Sequence, residues 1–356
     1  MQKKLIALAI AAAMTVPALA YAEVSISGQA NMSIDNVNDG VAVGASASAW
    51  QLNSNQSRVV LKGSEDLGNG LSAMWQADAR ISFDTGTNTA GQFFNGNTYV
   101  GVKSNDFGTV MLGNLDTPYK TSTRKLDLFF DTAGDNRGSL GGLMSGHDAR
   151  VGNVIAYASP DLSGFSVSAA TVFGGENPVA SSTKGTVLSL AGTYTMDNIY
   201  AALAYQSIKA GTAGTGDLGA GTGVAGAFGL NTLDDEATAF KVGGGYTMDQ
   251  FTVNAVIEMP NEKVGAVTKV ETKNTNWQIG GKFAVNSSDD VKLAYTHAGA
   301  SDVGGVKQND DATQFAVGYD HSMSKATSVY AHYVKTSANG TLPDPSVLSF
   351  GLKHAF

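Results

Sequence analysis

Side chains alternate between polar and apolar with a period of two along almost the whole chain. From Val24 to Asp35 the alternation is unbroken, with polar residues at the odd positions. This period places the two sets on opposite faces of a β-strand, and about 12 residues is long against the usual ~5–6. The same alternation returns at 71–81, 165–169, 199–206, 251–258, 291–296, 314–320 and 348–356. The chain is therefore predicted to be all-β, with long strands.

The connections between these strands alternate in length. Two short ones are nearly identical in sequence, at Tyr194–Asn198 and Tyr246–Gln250. Short turns are predicted at 65–70, 105–108, 160–164, 196–198, 248–250, 286–290 and 322–325. Long polar loops are predicted at 37–48, 85–96, 117–149, 175–186, 209–236, 260–273, 300–311 and 337–346. Seven turns and eight loops make 15 connections, and these predict 16 strands.

Composition restricts the classes of protein that fit. The 356 residues include 43 glycines and no cysteine, and 15% are charged against about 25% in an ordinary soluble domain. The missing cysteines exclude disulfide scaffolds and thiolate metal sites. A pI near 5.1 argues against nucleic-acid binding. Only the N-terminus approaches the ~20 apolar residues that a membrane-spanning helix needs.

The first 22 residues have the pattern of a secretory signal peptide. Lys3 and Lys4 precede an uncharged apolar stretch, Leu5–Val16, and a small-x-small cleavage site follows at Ala20–Ala22. This stretch is too short for a spanning helix, although a retained membrane anchor is the alternative. Cleavage after Ala22 would leave a mature chain of residues 23–356, predicted to be one domain.

Short turns at one end and long loops at the other are typical of an outer-membrane β-barrel. Such strands alternate apolar-out and polar-in, and closure removes the sheet edges that lipid cannot hydrogen-bond. The alternatives are a secreted sandwich or a β-solenoid, but a sandwich of this length would need a thick apolar core and shorter strands. We therefore predict a 16-stranded antiparallel transmembrane barrel.

Four segments resemble, in order, the general porins of Gram-negative bacteria, most closely those of β-proteobacteria. They are Ser57–Leu71, Tyr99–Gly113, Arg150–Phe165 and the C-terminal Phe350–Phe356. The resemblance implies a homotrimeric, water-filled diffusion pore whose third loop folds into the barrel and narrows it. One departure is Asn114, where many members of the family carry arginine.

By this resemblance the third loop is the segment 117–149, the longest connection in the chain. It is expected to present an acidic set, Asp127, Asp131 and Asp135, to a basic wall. Strand parity places the wall residues toward the lumen: Arg58, Lys62, Arg80 and Arg150. Opposed rings of acids and bases set the ion preference of a pore. Because the mature chain carries 21 basic and 31 acidic residues, a small cation preference is expected.

The resemblance also implies partners and an assembly signal. Phe356 would be read by the outer-membrane insertion machinery, and the barrel would contact outer-membrane lipid and lipopolysaccharide. The expected solutes are ions and small hydrophilic molecules.

Other motifs are expected to carry no chemistry. Gly221–Gly226 matches GxGxxG but lies in a glycine-rich loop instead of between a strand and a helix, and the five histidines lack metal-ligand spacing. No cofactor or metal is therefore expected. The alternatives are a porin of the same fold with a preferred solute, or an outer-membrane enzyme or adhesin. A lumenal aromatic ladder would favour the solute-selective porin, but the sequence offers only scattered candidates such as Tyr157 and Tyr200. The sequence has no GxSxG nucleophile motif.

Overall fold

A computed structural model describes residues 23–40, 48–88, 92–137, 143–144, 146–172, 185–212, 223–340 and 343–356. The predicted signal peptide, residues 1–22, lies outside the described residues. So do positions 138–142 and 145 of the predicted third loop and the first two residues of the GxGxxG match.

Strands account for most of the described chain. They are β1 (Glu23–Asn38), β2 (Ser48–Ser54), β3 (Arg58–Gly68), β4 (Leu71–Ser82), β5 (Thr87–Asn88), β6 (Thr98–Ser104), β7 (Gly108–Asp116), β8 (Arg150–Ala158), β9 (Phe165–Val172), β10 (Thr186–Met196), β11 (Ile199–Lys209), β12 (Glu236–Met248), β13 (Phe251–Val264), β14 (Val270–Lys273), β15 (Asn276–Ala284), β16 (Asp289–Ala298), β17 (Asp302–Val303), β18 (Val306–Lys307), β19 (Ala312–Ser322), β20 (Thr327–Ala338) and β21 (Ser346–Ala355).

Sixteen strand positions make up the barrel wall in the described residues. The short strands β5, β14, β17 and β18 lie in connections, and β2 and β3 share one position. Each wall strand pairs antiparallel with its neighbours, and β1 pairs with β21 from Gln29↔Ala355 to Asn38↔Ser346. That last pairing closes the sheet into a barrel. The prediction of a 16-stranded antiparallel barrel is confirmed.

β1 meets two strands along its other edge. Its first half pairs with β3 and its second half with β2. The break between β2 and β3 falls at Asn55–Ser57, where Gln56 has φ 58°. This left-handed residue interrupts the wall beside Arg58.

Short and long connections alternate along the wall as the sequence predicted. Two strand pairs, β10–β11 and β12–β13, are joined by the two-residue turns Asp197–Asn198 and Asp249–Gln250. The aspartates have φ 46° and 50°, a conformation that Asp and Asn tolerate in tight hairpins. The two nearly identical sequences thus form equivalent hairpins.

Exposure is inverted relative to a soluble protein. On β1 the polar Asn31 and Ser33 are buried while Ile26 and Ile34 are exposed, and on β13 Val253 is exposed. The polar face therefore points into the barrel, and the apolar face points outward around the wall.

Two short helices lie in the connections, α1 (Pro118–Ser122) and α2 (Gly223–Ala227). Neither these nor any other helix in the described residues is long and apolar enough to cross a membrane.

Candidate functional site

The described part of the connection between β7 and β8, residues 117–137, 143–144 and 146–149, enters the barrel lumen. Thr117 caps α1 by accepting the Lys120 amide on its side-chain oxygen at 3.4 Å, and Pro118 starts the helix. A proline there loses no helical hydrogen bond. The Thr117 amide also donates to the Ala149 carbonyl at 3.1 Å, which holds the two ends of the loop together at the wall.

Three apolar side chains of this loop are buried against lumenal residues of the wall. Tyr119 packs on small alanines of β10, β11 and β12, and its amide donates to the Ser189 hydroxyl at 3.0 Å. Leu126 packs on Val256 of β13. Phe129 packs on Ala294, Ala316 and Val334 of β16, β19 and β20. The first part of the loop, residues 119–129, is therefore fixed to the wall at three points.

Wall glycines make room for these contacts. A Cβ atom added at Gly243 would lie 2.5 Å from a methyl carbon of Leu126, and one at Gly245 would lie 3.0 Å from its other methyl. A Cβ atom added at Gly280 would lie 3.2 Å from a methyl carbon of Leu128 and 2.5 Å from the side-chain oxygen of Asn254 on the neighbouring strand. Side chains at these lumenal positions would push the loop away from the wall.

Two wall lysines also hold the loop. The buried Lys241 of β12 pairs with Asp148 at 2.6 Å and lies 4.2 Å from the Tyr119 ring centroid. Lys292 of β16 donates to the Leu128 carbonyl at 3.0 Å and pairs with Asp320. Both ammonium groups are buried or nearly so, and buried charges require such partners.

Asp131 of the loop meets Arg58 of the wall at 3.0 Å. Its carboxylate also accepts the Gln29 amide nitrogen at 3.0 Å, and its carbonyl accepts Asn31 at 2.7 Å. Asp131 has φ 58°, a left-handed conformation in which Asp and Asn are the best tolerated after glycine. The loop thus turns here so that a carboxylate faces the basic wall.

Asp127 and Asp135 direct their carboxylates into the loop itself. Asp127 accepts the amides of Phe129 and Asn136 at 2.9 and 3.2 Å, and Asp135 accepts those of Asp131 and Arg137 at 3.0 and 2.8 Å. Burial, and then the nearby Asp135, raise the pKa of Asp127 well above its usual range. The two side chains shape the loop that presents Asp131.

Arg150 shares one counter-ion with two loop residues. Its guanidinium lies 3.0 Å from Asp116 at the end of β7, and the same carboxylate meets Lys120 at 2.9 Å and Arg124 at 2.7 Å. Three cations thus surround Asp116, and they leave excess positive charge at this point of the wall.

Arg80 lies across from Arg58 in the β3–β4 pairing. Its guanidinium donates to the Gln56 side-chain oxygen, and within the described residues no carboxylate lies at ion-pair distance from it. Lys62, on the same face of β3, is exposed and makes no ion pair with the described part of the loop. The structure brings Arg58, Arg80 and Arg150 to the loop but leaves Lys62 apart.

A cavity of about 680 Å³ separates the loop from the wall. Four basic and four acidic side chains line it, namely Arg80, Lys120, Arg124 and Arg137 with Asp35, Asp131, Asp135 and Asp148. The lining carries balanced charge of both signs.

Comparison with known proteins decides the family. Residues 7–341 match the family model of the Gram-negative porins. The chain belongs to the Gram-negative porin family. This porin is 27% identical to outer membrane porin protein 32 of Delftia acidovorans over 96% of the chain and 92% of that protein.

Two solved structures show the same fold as this porin. The anion-selective porin from Comamonas acidovorans has a TM-score of 0.74 at 21% identity, over 94% of this chain and 100% of that one. The trimer form of OmpT, an outer membrane protein of Vibrio cholerae, has a TM-score of 0.68 at 16% identity, over 94% and 99% of the two chains. Together with the family match, these likenesses identify an outer-membrane channel.

Sequence reasoning missed several residues of this porin's lumen. Asp116 lies one residue before the predicted loop, and its role as a shared counter-ion depends on the fold. Lys241 of β12 and Lys292 of β16 lie at lumen-facing positions. The alternation of polar and apolar residues along these strands could have identified both as lumenal. Gly243 and Gly245 gave no signal beyond a high glycine content, because their partner Leu126 lies more than a hundred residues away in the loop.

Proposed function

We propose that this porin forms a water-filled channel through which ions and small hydrophilic solutes diffuse passively. The observation that carries the proposal is the pairing of Arg58 on the wall with Asp131 on a loop fixed inside the barrel. Basic and acidic side chains, among them Arg80, Lys120 and Asp131, line the cavity beside this pair, and opposed charges along a passage create a transverse field. Such a field orders polar solutes and disfavours apolar ones.

The segment 117–149 is the proposed constriction loop, and the residues have distinct roles. Arg58, Arg80 and Arg150 form the basic wall, and Asp131 is the acid that faces it. Asp127 and Asp135 maintain the shape of the loop through its backbone amides. Lys62 contributes charge to the vestibule on the side of the short turns.

The proposed ion preference is small and favours cations. The cavity lining is balanced in charge, and the mature chain has ten more acidic than basic residues, 31 against 21. The Debye length is about 8 Å at physiological salt, so vestibule charge acts weakly on the constriction. The preference should therefore grow as the salt concentration falls.

Conductance in a planar bilayer tests this function. Purified protein should give stepwise, ohmic conductance, and a tenfold salt gradient should give a small reversal potential of the cationic sign. A refolded protein without conductance would contradict the channel, and a strongly anionic potential would show that the basic wall dominates.

Within this proposal the protein has no catalytic activity. Of the two residues considered for a lumenal aromatic ladder, Tyr157 is on the exposed outer face and Tyr200 donates its hydroxyl to the Ser122 carbonyl of the loop. Neither supports a track for a preferred solute. That alternative would require saturation of the conductance by one solute, and an enzyme or adhesin would show no conductance.

We further propose export by the signal peptide, assembly as a homotrimer, and contact with outer-membrane lipid and lipopolysaccharide. The similar OmpT structure in trimer form supports the trimer. Unheated gel electrophoresis should show a detergent-resistant trimer that dissociates on heating. A monomer alone would contradict the trimer and leave the barrel unaffected.

A further inference from the structure

The ring of Phe130 lies close to two guanidinium groups of the same loop. The guanidinium carbon of Arg124 is 5.2 Å from its ring centroid, and that of Arg137 is 4.9 Å away. Both distances are within the ~6 Å at which a ring attracts a cation. All three side chains line the cavity between the loop and the wall.

Both arginines have a donor that no oxygen accepts. Nε of Arg124 and Nη2 of Arg137 are buried without a hydrogen-bond partner in the described structure. Their other donors reach Asp116 at 2.7 Å and Asp148 at 3.4 Å. A buried donor without an acceptor is unfavourable, and the Phe130 ring is the aromatic group that lies beside both guanidinium groups.

The neighbouring Phe129 has a different environment. It is fully buried and packs on the apolar side chains of the wall, whereas Phe130 is half-buried and faces the cavity. The two consecutive phenylalanines therefore have different roles. Phe129 fixes the loop to the wall, and Phe130 contacts two charged side chains of the loop.

We propose that Phe130 is a specificity-determining positioning residue of the channel. Its ring holds Arg124 and Arg137 along the cavity lining, so that the loop presents positive charge beside its acids. Without the ring, the Arg137 guanidinium would close on Asp148, from which it now lies 3.4 Å away, and Arg124 would keep only its 2.7 Å contact with Asp116. The cavity would then become less attractive to anions. The inference rests on the proposed channel function, which it refines by assigning selectivity to an uncharged side chain.

Reversal potentials of Phe130 variants test the proposal. Phe130→Leu keeps the apolar volume but removes the ring, and we expect the anion-to-cation permeability ratio to fall about two-fold or more. Phe130→Tyr keeps the ring and should retain the wild-type ratio. Phe93→Leu is the control, because Phe93 is exposed on another loop. If Phe130→Leu does not fold, Phe130→Met replaces it with the same expected shift.

Two readouts separate positioning from loop collapse. The single-channel conductance at high salt should change little in Phe130→Leu, since the loop remains attached through Phe129 and Tyr119. In an Arg124→Gln/Arg137→Gln background, adding Phe130→Leu should cause no further shift.

An unchanged ratio in Phe130→Leu, or an equal shift in the background without the arginines, would overturn the inference while leaving the channel function intact. Wild-type protein without conductance would overturn both.

Discussion

The ring of Phe129 in the loop packs directly against Gly318 in the wall, in the space that a side chain at position 318 would occupy. A Cβ atom at position 318 would lie 2.8 Å from a ring carbon of Phe129 and 2.6 Å from the imidazole of His332. Both rings are fully buried, so neither can move aside freely. The position of the loop thus depends on a glycine, which has no side chain, in a strand nearly 190 residues further along the chain.

Gly318→Ala should loosen the loop. Overpacking of this kind costs typically about 1–3 kcal/mol, and here both Phe129 and His332 would have to shift. We expect noisier single-channel currents and a shifted mean conductance. Gly281→Ala is the matched control, since its Cβ would meet only the Thr252 carbonyl, at 3.9 Å. Equal noise in the two variants would contradict this interpretation of Gly318.

Neutral substitutions at Asp131 and at Arg58 should shift the ion selectivity of the channel in opposite directions. Asp131→Asn suits the left-handed backbone at this position and should shift the reversal potential toward anions. Arg58→Gln, and likewise Arg150→Gln, should shift it toward cations. The measurement is the reversal potential in a salt gradient at low ionic strength, where screening is weak. Three unchanged potentials would place the constriction elsewhere.

Acid should destabilise the end of the loop through His147. Burial, and then the positive charge of Lys241, lower its pKa to about 4, against about 6.5 in an unfolded chain. The unfolded state therefore binds the proton more readily between these values. The stabilisation from neutral His147 is complete above pH ~6.5, declines as the pH falls to about 4, and reaches a total loss of about 3 kcal/mol.

The difference in thermal stability between wild type and His147→Leu isolates this effect. The ring packs on Phe228 at 5.2 Å between centroids, and both ring nitrogens lack hydrogen-bond partners in the described structure, so leucine should be tolerated. Glu262, 4.0 Å away, would reduce the loss by facing the protonated ring. The advantage of wild type should shrink between pH 6.5 and 4. A pH-independent difference would rule out titration of His147.

Deleting Phe356 should reduce the amount of inserted protein. Its backbone exchanges two hydrogen bonds with Gly28, at 2.9 and 3.2 Å, where β21 closes on β1. Its ring lies over Gly28, where a Cβ atom would be 2.8 Å from the ring. Quantification of heat-modifiable protein in outer-membrane fractions measures the effect, with Phe356→Tyr as the control that keeps a ring. Normal levels in the deletion would refute an assembly role.

Cleavage after Ala22 should expose Glu23 as the first residue of the mature protein. Glu23 also begins β1 and pairs with Ser64 of β3, so an uncleaved leader would extend directly from the barrel wall. N-terminal sequencing of extracted protein should read Glu-Val-Ser-Ile. A start at Met1 would contradict export by this signal.

The number of strands could be predicted from the sequence because polar and apolar residues alternate along each barrel strand, one set facing the lumen and the other facing outward. The turns at Asp197 and Asp249 could be located for a similar reason, since tight hairpins restrict residue type locally. The inward loop could be predicted only through its length and the family resemblance.

The partners of the loop could not be predicted in the same way. Parity shows that Lys241 faces the lumen but not that it meets Asp148, because that contact depends on the three-dimensional course of the loop. Likewise, Asp127 and Asp131 look alike in sequence, yet one carboxylate binds loop amides and the other faces Arg58. The direction in which each aspartate side chain points depends on the path of the loop backbone, and that path cannot be predicted from the residues next to it in the sequence.

The carboxylate of Asp116 forms ion pairs with Lys120, Arg124 and Arg150 together. The effect of a substitution at one of these three positions therefore depends on the residues at the other two. Loss of one cation lets the remaining two take a larger share of the same carboxylate, so single substitutions would be partly compensated. Their effects on permeation should be strongly epistatic, and a change of ion preference along this lineage would require coordinated replacements or a change at Asp116 itself.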